Sequence, residues 1–168
     1  MFEYRVRDAH QSDLGRIVEI YNTTIEGRVV TADTEPVTVE SRQKWFEEHS
    51  VDKRPLWVVE DNNQQIIAWV SFQSFYGRPA YNATVEISIY LDPEQRGKGL
   101  GKSLLQYAID NAPTFGIKIL LGFIFSHNIP SIKLFKHFGF EEWANLPGIA
   151  ELDGIERSLT ILGKRIAG

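Results

Sequence analysis

The stretch "RGKGLGK", Arg96–Lys102, has the residue types and spacing of a phosphate-binding loop. Its glycines permit positive φ angles and let the backbone approach a bound group closely. The helix predicted to begin inside it would point free N–H groups and the positive end of its dipole at an anion. Arg96 and two lysines add three positive charges within seven residues of a chain whose formal net charge is −4. The loop therefore predicts a polyanion site, although a glycine-rich turn with a solvated charged rim explains the stretch equally well when it is taken alone.

A nucleotide-binding P-loop is an alternative for the same stretch, which continues as Gly101-Lys102-Ser103. In a P-loop, four residues separate the first glycine from the Gly-Lys-Ser/Thr triplet. That first position is Arg96 here, and Gly97 is displaced from it by one residue. The spacing argues against an ATP or GTP site and leaves the Arg-x-x-Gly-x-Gly pattern to be explained.

The elements that position this loop alternate between strand and helix patterns. Apolar–polar alternation predicts strands, and apolar residues three or four apart predict helices. The order is β-α-α-β-β-β-α-β-α-β-β, with the loop between the fourth strand and the third helix. Hairpins and one β-α-β unit predict a single α/β (α+β) domain with a mixed, mostly antiparallel sheet flanked by helices. Strands are predicted at residues 3–7, 55–60, 65–75, 84–91, 117–125, 140–146 and 157–166, and helices at 12–26, 39–49, 99–112 and 128–140.

Length and composition limit the classes of function. A chain of 168 residues predicts one domain, residues 1–168, with a full hydrophobic core. The net charge argues against nucleic-acid binding. Without cysteine there is no thiolate metal site and no cysteine nucleophile, and the four histidines lack ligand spacing, so no metal is predicted. Apolar runs too short for a bilayer and an N-terminus unlike a signal peptide lead us to expect a cytoplasmic protein that contacts no membrane.

The whole set of motifs is more specific than the loop. "VEISIYLDPEQRGKGLGKSLLQ", followed by "NIPSIKLFKHFGF", resembles the GNAT acyltransferase superfamily. The shared signature is Arg/Gln-x-x-Gly-x-Gly/Ala after the fourth strand, then Asn-x-x-Ser-x-x-Leu and a later Gly-Phe. "IYNTTI", Thr84-Val85-Glu86 and the final strand pair are similar to the phosphinothricin acetyltransferase-like branch. The resemblance covers nearly the full chain and implies an N-acetyltransferase that uses acetyl-CoA.

The resemblance also implies where acetyl-CoA binds. In this superfamily the fourth and fifth strands splay apart, and the pantetheine arm lies against the fourth strand like an added strand. The glycine loop would hold the pyrophosphate, in agreement with its own residues. Asn128 would bond the pantetheine arm, and its alternative role as a helix cap is compatible with that contact. The implied cofactor residues are Ile89, Tyr90, Leu91, Arg96, Gly97, Lys98, Gly99, Leu100, Gly101, Lys102, Asn128 and Ser131.

Transfer to an amine requires a base for the ammonium, a donor for the oxyanion and stabilisation of the departing thiolate. Glu86 is the candidate catalytic base, because a carboxylate on an otherwise apolar strand is partly desolvated and its pKa rises. The alternative is that Glu86 faces solvent or pairs with a neighbour such as Arg78. A backbone N–H near Ile89 is the candidate oxyanion donor. No acid is assigned, because Phe135 stands where many relatives have tyrosine.

The acceptor site is expected to combine the first helix and its loop with the segment "SFYGRPAYNATVE". Arg78 is the candidate partner for an acceptor carboxylate, with an exposed loop charge as the equal alternative. Trp45, Trp57 and Trp69 are expected in the core rather than at a ligand. The residues predicted to bind the acceptor are Phe75, Tyr76, Gly77, Arg78, Tyr81, Thr84, Val85 and Glu86.

The predicted function is direct acetyl transfer from acetyl-CoA to the α-amino group of a small amino acid or analogue, of the phosphinothricin or methionine sulfoximine/sulfone type. One alternative acceptor is a polyamine, an aminoglycoside or a protein N-terminus, but a polycation would need more carboxylates than the acceptor segment has. The other alternative is a CoA-binding sensor without turnover. Homodimers are common in this branch, and the resemblance extends that expectation here. "GIERSLTILG" stands where relatives often have Trp and Asp, which leaves the acceptor open.

Overall fold

The computed structural model describes residues 3–166, so the outermost two residues at each end of the predicted domain lie outside the described part. The strands are β1 Arg5–Asp8, β2 Leu56–Glu60, β3 Ile66–Ser74, β4 Thr84–Leu91, β5 Ile119–Phe125, β6 Glu141–Leu152 and β7 Ile155–Arg165. The α-helices are α1 Leu14–Asn22, α2 Gln43–Glu47, α3 Leu100–Asn111 and α4 Ile129–His137. The seven strands form one sheet in the order β1-β2-β3-β4-β5-β7-β6. The predicted α+β fold, with seven strands and four helices, is confirmed.

The parallel pair in the middle of the sheet opens along its length. Strands β4 and β5 are paired in parallel at Thr84↔Ile119, Val85↔Leu120 and Glu86↔Leu121. Beyond Glu86 no pairing with β5 occurs among the described residues, whereas β4 stays paired with β3 up to Leu91. All other neighbouring strands are antiparallel. The predicted splay of the fourth and fifth strands therefore begins directly after Glu86.

Two hydrophobic clusters cover the two faces of the sheet. On one face, α3 buries Leu100, Leu104, Leu105 and Ala108 against strand residues such as Phe72. On the other face, α1 buries Ile17 and Ile20 against Val58 and Trp69. Because side chains alternate along a strand, Val85 and Ile87 belong to the α3 face and Tyr90 to the α1 face. Glu86 and Ser88 therefore share the α1 face with Tyr90.

Several element bounds differ from the sequence-based expectation. Helix α1 stops at Asn22, and the hydroxyls of Thr23 and Thr24 then bond back to the carbonyls of Ile20 and Tyr21 at 2.6 and 2.7 Å, respectively. Such back-bonding competes with regular helix. The predicted second helix is reduced to a 3₁₀ turn, residues 40–42, and the five-residue α2. Strand β6 continues beyond the predicted residue 146 to Leu152, with shifts in its register on the way.

Candidate active site

The opening between β4 and β5 forms a cleft on the face that carries α3 and α4. Both strands and both helices contribute to its walls, and Val30 reaches it from the loop after α1. Six predicted cofactor residues lie there together: Ile89, Tyr90, Leu91, Gly101, Asn128 and Ser131. The cleft also includes Ile87, Ser88, Phe123, Ile124, Leu134 and Phe135.

The glycine loop lies at the end of this cleft where α3 begins. Gly97 and Gly99 have φ angles of 75° and 82°, in the left-handed region that favours glycine. Gly99 caps α3 without a side-chain bond, so no side chain of the described residues occupies the free N–H groups of the first turn. The side chains of Arg96, Lys98 and Lys102 are exposed and form no ion pair within residues 3–166. The loop therefore offers donors and positive charge that the protein itself does not use.

The start of the loop is anchored to the body of the sheet. Asp92 accepts a bond from the backbone N–H of Glu94 at 2.9 Å and pairs with Arg16 at 2.7 Å. Arg16 also donates to the carbonyl of Ile66 at 3.0 Å, which ties α1 and β3 to the same point. A loop held in this way presents its glycines in a fixed arrangement.

Asn128 lies where β5 ends and α4 begins. Its Oδ1 accepts from the backbone N–H of Ser131 at 3.4 Å, so it caps the helix as the sequence predicts. Its side chain is buried, and its Nδ2 has no hydrogen bond to any described residue. The amide therefore both caps α4 and retains donors beside the cleft.

Phe135 lies in the cleft and cannot donate a proton. It is 7% exposed and packs against Gly122 of β5. A Cβ atom on Gly122 would lie 2.8 Å from Cε2 of Phe135, so only glycine leaves room for this ring. At the position where the resemblance implies a proton donor, this chain therefore has an apolar contact.

A second pocket lies across β4, on the face that carries α1 and α2. It contains Glu86, whose carboxylate has no hydrogen bond or ion pair within the described residues. Burial raises the pKa of Glu86 above its ordinary value. Glu86 is therefore not paired with Arg78. Residues Ile17, Val18, Tyr21, Val37, Arg42, Trp45, Trp69, Gln73, Ser88 and Tyr90 complete this pocket, which we call the acceptor pocket.

A hydrogen-bonded cluster forms the outer wall of the acceptor pocket. The guanidinium of Arg42 lies 4.6 Å from the ring centroid of Tyr21, and its Nη2 is 2.9 Å from Oδ2 of Asp33. The Tyr21 hydroxyl bonds to Thr31 at 2.5 Å and donates to Asp33. Tyr90 stacks on Trp69 with the ring centroids 4.6 Å apart, which forms the floor. The pocket is thus aromatic, with one carboxylate and one guanidinium.

The structure separates the predicted acceptor residues into groups. Phe75, Tyr76 and Gly77 border a different recess, which shares Gln73 with the acceptor pocket. Phe75, Tyr76 and Tyr81 form an aromatic cluster, and Tyr76 is 69% exposed. Arg78 is exposed and does not line the acceptor pocket. Val85 is buried on the α3 face, and Thr84 begins β4. Of the set, only Glu86 lies in the acceptor pocket.

The three tryptophans predicted for the core pack on the two hydrophobic clusters. Trp57 and Trp69 are 5% and 3% exposed and belong to the two clusters. Trp45 packs partly buried against the cluster that contains Trp69, and both side chains also line the acceptor pocket. Arg42 and Trp45 are three residues apart, which places both on one side of a helical turn. That spacing was the available signal for a wall of the site.

Two negative observations concern residues 3–166. No helix there is long and apolar enough to cross a membrane. No group of three or more His, Cys, Asp or Glu side chains in this part of the chain is arranged to hold a metal ion.

Comparison with known proteins shows extensive similarity to acetyltransferases. Residues 16–140 match the family described as the acetyltransferase (GNAT) family. A Bacillus subtilis protein, YwnH, bears the provisional name phosphinothricin acetyltransferase; it is 55% identical over 162 residues, 96% of this chain and 99% of its own length. A Pseudomonas aeruginosa protein named L-methionine sulfoximine/L-methionine sulfone acetyltransferase is 32% identical over 157 residues, 94% of this chain and 91% of its own.

Solved structures agree with this similarity. A crystal structure with the provisional name phosphinothricin N-acetyltransferase has a TM-score of 0.96 and 54% identity, and covers 99% of this chain and 100% of its own. A Salmonella typhimurium structure of YncA, provisionally named an acetyltransferase, contains acetyl-CoA as its cofactor. It has a TM-score of 0.90 and 29% identity, and covers 99% of this chain and 95% of its own.

Proposed function

The chain belongs to the acetyltransferase (GNAT) family, and from that premise we propose that it acetylates the α-amino group of a small amino acid or analogue with acetyl-CoA as donor. The observation that carries the proposal is the pair Ser88 and Tyr90, which line both the cleft and the acceptor pocket. The two sites therefore meet at β4. The names of the relatives, which specify phosphinothricin and methionine sulfoximine or sulfone, support this class of acceptor.

The residues of the cleft fit acetyl-CoA. A pyrophosphate needs donors and positive charge, and the glycine loop has both without partners of its own. A pantetheine arm carries amides, and the edge of β4 beyond Glu86 has backbone groups that β5 does not pair. Asn128 adds free amide donors. We propose as binding residues Ile89, Tyr90 and Leu91 on β4, Arg96, Gly97, Lys98, Gly99, Leu100, Gly101 and Lys102 in the loop, and Asn128 and Ser131 at α4.

Acetyl-CoA supplies a thioester carbonyl, and the acceptor amine forms a C–N bond to it as the C–S bond breaks. Glu86 acts as the base that takes the proton of the ammonium, directly or through a water. Its unpaired carboxylate and raised pKa suit this role. We propose that transfer is direct; an acyl-thioester intermediate on the protein is excluded, because the chain has no cysteine. A free backbone N–H of β4 near Ile89 polarises the carbonyl.

The thiolate leaves without a dedicated acid. Phe135 occupies the place where a phenol would stand, and no other protonating side chain is assigned. The positive end of the α4 dipole and water stabilise the departing thiolate, because α4 begins at the cleft beside Asn128.

The acceptor class is tested by measuring CoA release with a thiol reagent across a panel of amines. The protein contributes no thiol background because it lacks cysteine. We expect turnover of phosphinothricin, methionine sulfoximine or methionine sulfone and none of spermidine or an aminoglycoside. The reason is that Glu86 is the one carboxylate that the described part of the chain contributes to the acceptor pocket. Turnover confined to the polycations would refute the proposed acceptor. Binding of acetyl-CoA without any turnover would favour the sensor.

We also propose that the chain forms a homodimer. Trp143, Leu146, Ile149 and Ile155 on β6 and β7 are 37–58% exposed and place apolar surface on the edge hairpin of the sheet. Light scattering of wild type and of Ile149→Glu tests this, and a wild-type monomer would refute it.

Use of acetyl-CoA supports a cytoplasmic location, to be checked by cell fractionation. Acetylation would remove the positive charge of the α-amino group of a toxic amino acid. We therefore expect that expression of this protein raises the resistance of cells to phosphinothricin or methionine sulfoximine.

A further inference from the structure

Among residues 3–166, two charged side chains line the acceptor pocket, Glu86 and Arg42. They enter it from different elements, Glu86 from β4 and Arg42 from the turn that leads into α2. Burial raises the pKa of Tyr90, and the charge of Glu86 raises it further, whereas that of Arg42 lowers it. Both charges therefore act on the Tyr90 phenol, which lines the same pocket. The pocket has a negative and a positive group around an aromatic floor.

Arg42 retains hydrogen-bond donors that other structural arginines use. Arg7, Arg16 and Arg54 each engage Nε, Nη1 and Nη2 with protein groups. Arg42 engages only Nη2, with Asp33, and within residues 3–166 its Nε and Nη1 make no hydrogen bond. A guanidinium presents five N–H groups in a planar fork that suits a carboxylate. Arg42 therefore has unused donors in the pocket.

The orientation of Arg42 is fixed by its surroundings. Its guanidinium lies over the ring of Tyr21, and Asp33 holds one end of it. Tyr21 is 9% exposed and is itself bonded to Thr31 and Asp33. Because the platform is held from two sides, little conformational freedom remains to be lost when a ligand binds. An anion entering the pocket thus finds a preorganised partner.

We infer that Arg42 binds the α-carboxylate of the acceptor and so orients its α-amino group toward Glu86. This inference rests on the proposed function and moves the role first assigned to Arg78 to a residue inside the pocket. An α-amino acid bears its ammonium and carboxylate on one carbon, which matches one carboxylate and one guanidinium at the same site. Arg42 is then a determinant of specificity for acceptors with a free carboxylate.

The experiment compares methionine sulfone with its carboxamide, which keeps the amine and loses the carboxylate charge. For Arg42→Ala we expect KM for the acid to rise on the order of tenfold to a hundredfold, as for loss of a charged hydrogen bond. The carboxamide should change by less than about twofold. Arg42→Lys should fall between, since an ammonium keeps the charge and loses the fork. Lys44→Ala, which removes a positive charge from α2 outside the pocket, is the matched control and should leave the acid-to-carboxamide ratio unchanged.

Equal losses on the acid and the carboxamide would overturn the inference, because Arg42 would then only shape the pocket. A selective loss in Arg78→Ala but not in Arg42→Ala would overturn it in favour of the loop arginine. An unchanged dissociation constant for acetyl-CoA shows that Arg42→Ala remains folded. If the wild type acetylates neither compound, the proposed function fails first and the inference with it, and that outcome is visible in the wild type alone.

Discussion

Replacement of Glu86 by glutamine removes the proposed base and almost nothing else. The two side chains have nearly the same volume. The Glu86 carboxylate has no hydrogen bond or ion pair within the described residues, so no protein contact is lost. Its backbone pairs with Leu121 and Gln73, and glutamine can retain both pairings. The variant should therefore fold and bind acetyl-CoA with unchanged affinity.

The expected loss of rate follows from the role of a general base. Such a group contributes about 10²–10⁴-fold, so kcat/KM should fall by that factor, equivalent to about 3–5 kcal/mol of transition-state stabilisation. Burial raises the pKa of Glu86, so the acid limb of the wild-type pH–rate profile should lie above the usual glutamate value of about 4.3. The rate should fall as pH drops through that limb, because the protonated carboxyl cannot accept a proton. The limb should be absent from Glu86→Gln.

Glu86→Gln should raise the stability of the protein although it lowers the activity. A pKa raised by folding means that the native state holds the Glu86 proton more tightly than the unfolded chain does. The favourable contribution is therefore present below the unfolded pKa and is lost as pH rises through the folded pKa. At pH 7 the ionised, half-buried carboxylate opposes folding, and glutamine should raise the midpoint of urea unfolding.

For activity, a Glu86→Gln variant that keeps more than about a tenth of the wild-type kcat/KM, with an unchanged acid limb, would refute the assignment of Glu86 as the base.

Three further changes test the cleft and the core. Gly99→Ala and Gly116→Ala place the same methyl group at φ angles of +82° and +73°, so each variant should lose about 1–2 kcal/mol of stability. Only Gly99→Ala should weaken the binding of acetyl-CoA, as measured by calorimetry. Equal affinities of the two variants would show that the glycine loop does not bind the phosphates. Gly122→Ala brings a Cβ atom to 2.8 Å from Phe135 and should lower the free energy of urea unfolding by about 1–3 kcal/mol. Adding Phe135→Leu to this variant should restore part of the lost stability. If the losses of the two single variants simply add in the double variant, the clash is contradicted. Burial lowers the pKa of His49, so the unfolded chain binds this proton more readily and the stability should fall as pH drops below about 6.5. His49→Gln should make this fall in stability less steep. An equally steep fall in the variant would exclude His49 as its source.

The cofactor side of the site could be predicted from sequence because its residues are nearly contiguous. Strand β4, the glycine loop and the start of α3 follow one another along the chain, and the period of two along β4 separates its two faces. A local motif therefore specifies both the positive φ at Gly99 and the helix start that follows it. Asn128 follows from the same logic at the start of α4, where a capping residue is expected.

The acceptor pocket could not be predicted in the same way because it is assembled from α1, the loop after it, the 3₁₀ turn with α2, and strands β3 and β4. Arg42 ends the 3₁₀ turn before α2, and Trp45 lies on α2. Their three-residue spacing is also that of an ordinary half-exposed helical surface, so it does not by itself identify a pocket. Their position beside Glu86 depends on how α2 packs against β3, which no local pattern encodes. Arg78 shortly precedes β4 in sequence, yet it lies directly before the 3₁₀ turn Pro79–Tyr81 and is exposed to solvent. Closeness along the chain was a poor guide to closeness in the pocket.

The position of Glu86 connects the fold to the proposed chemistry. It is the last residue of β4 that pairs with β5, so the strand loses its neighbour at the residue that carries the carboxylate. Beyond it, unpaired backbone groups face the cleft, and leaving such groups unsatisfied is unfavourable unless water or a ligand bonds them. An extended ligand that pairs with this edge is led along β4 toward Glu86, and its reactive end stops where the strands rejoin. Because Ser88 and Tyr90 line both the cleft and the acceptor pocket, the proposed donor and acceptor sites share the same short length of strand.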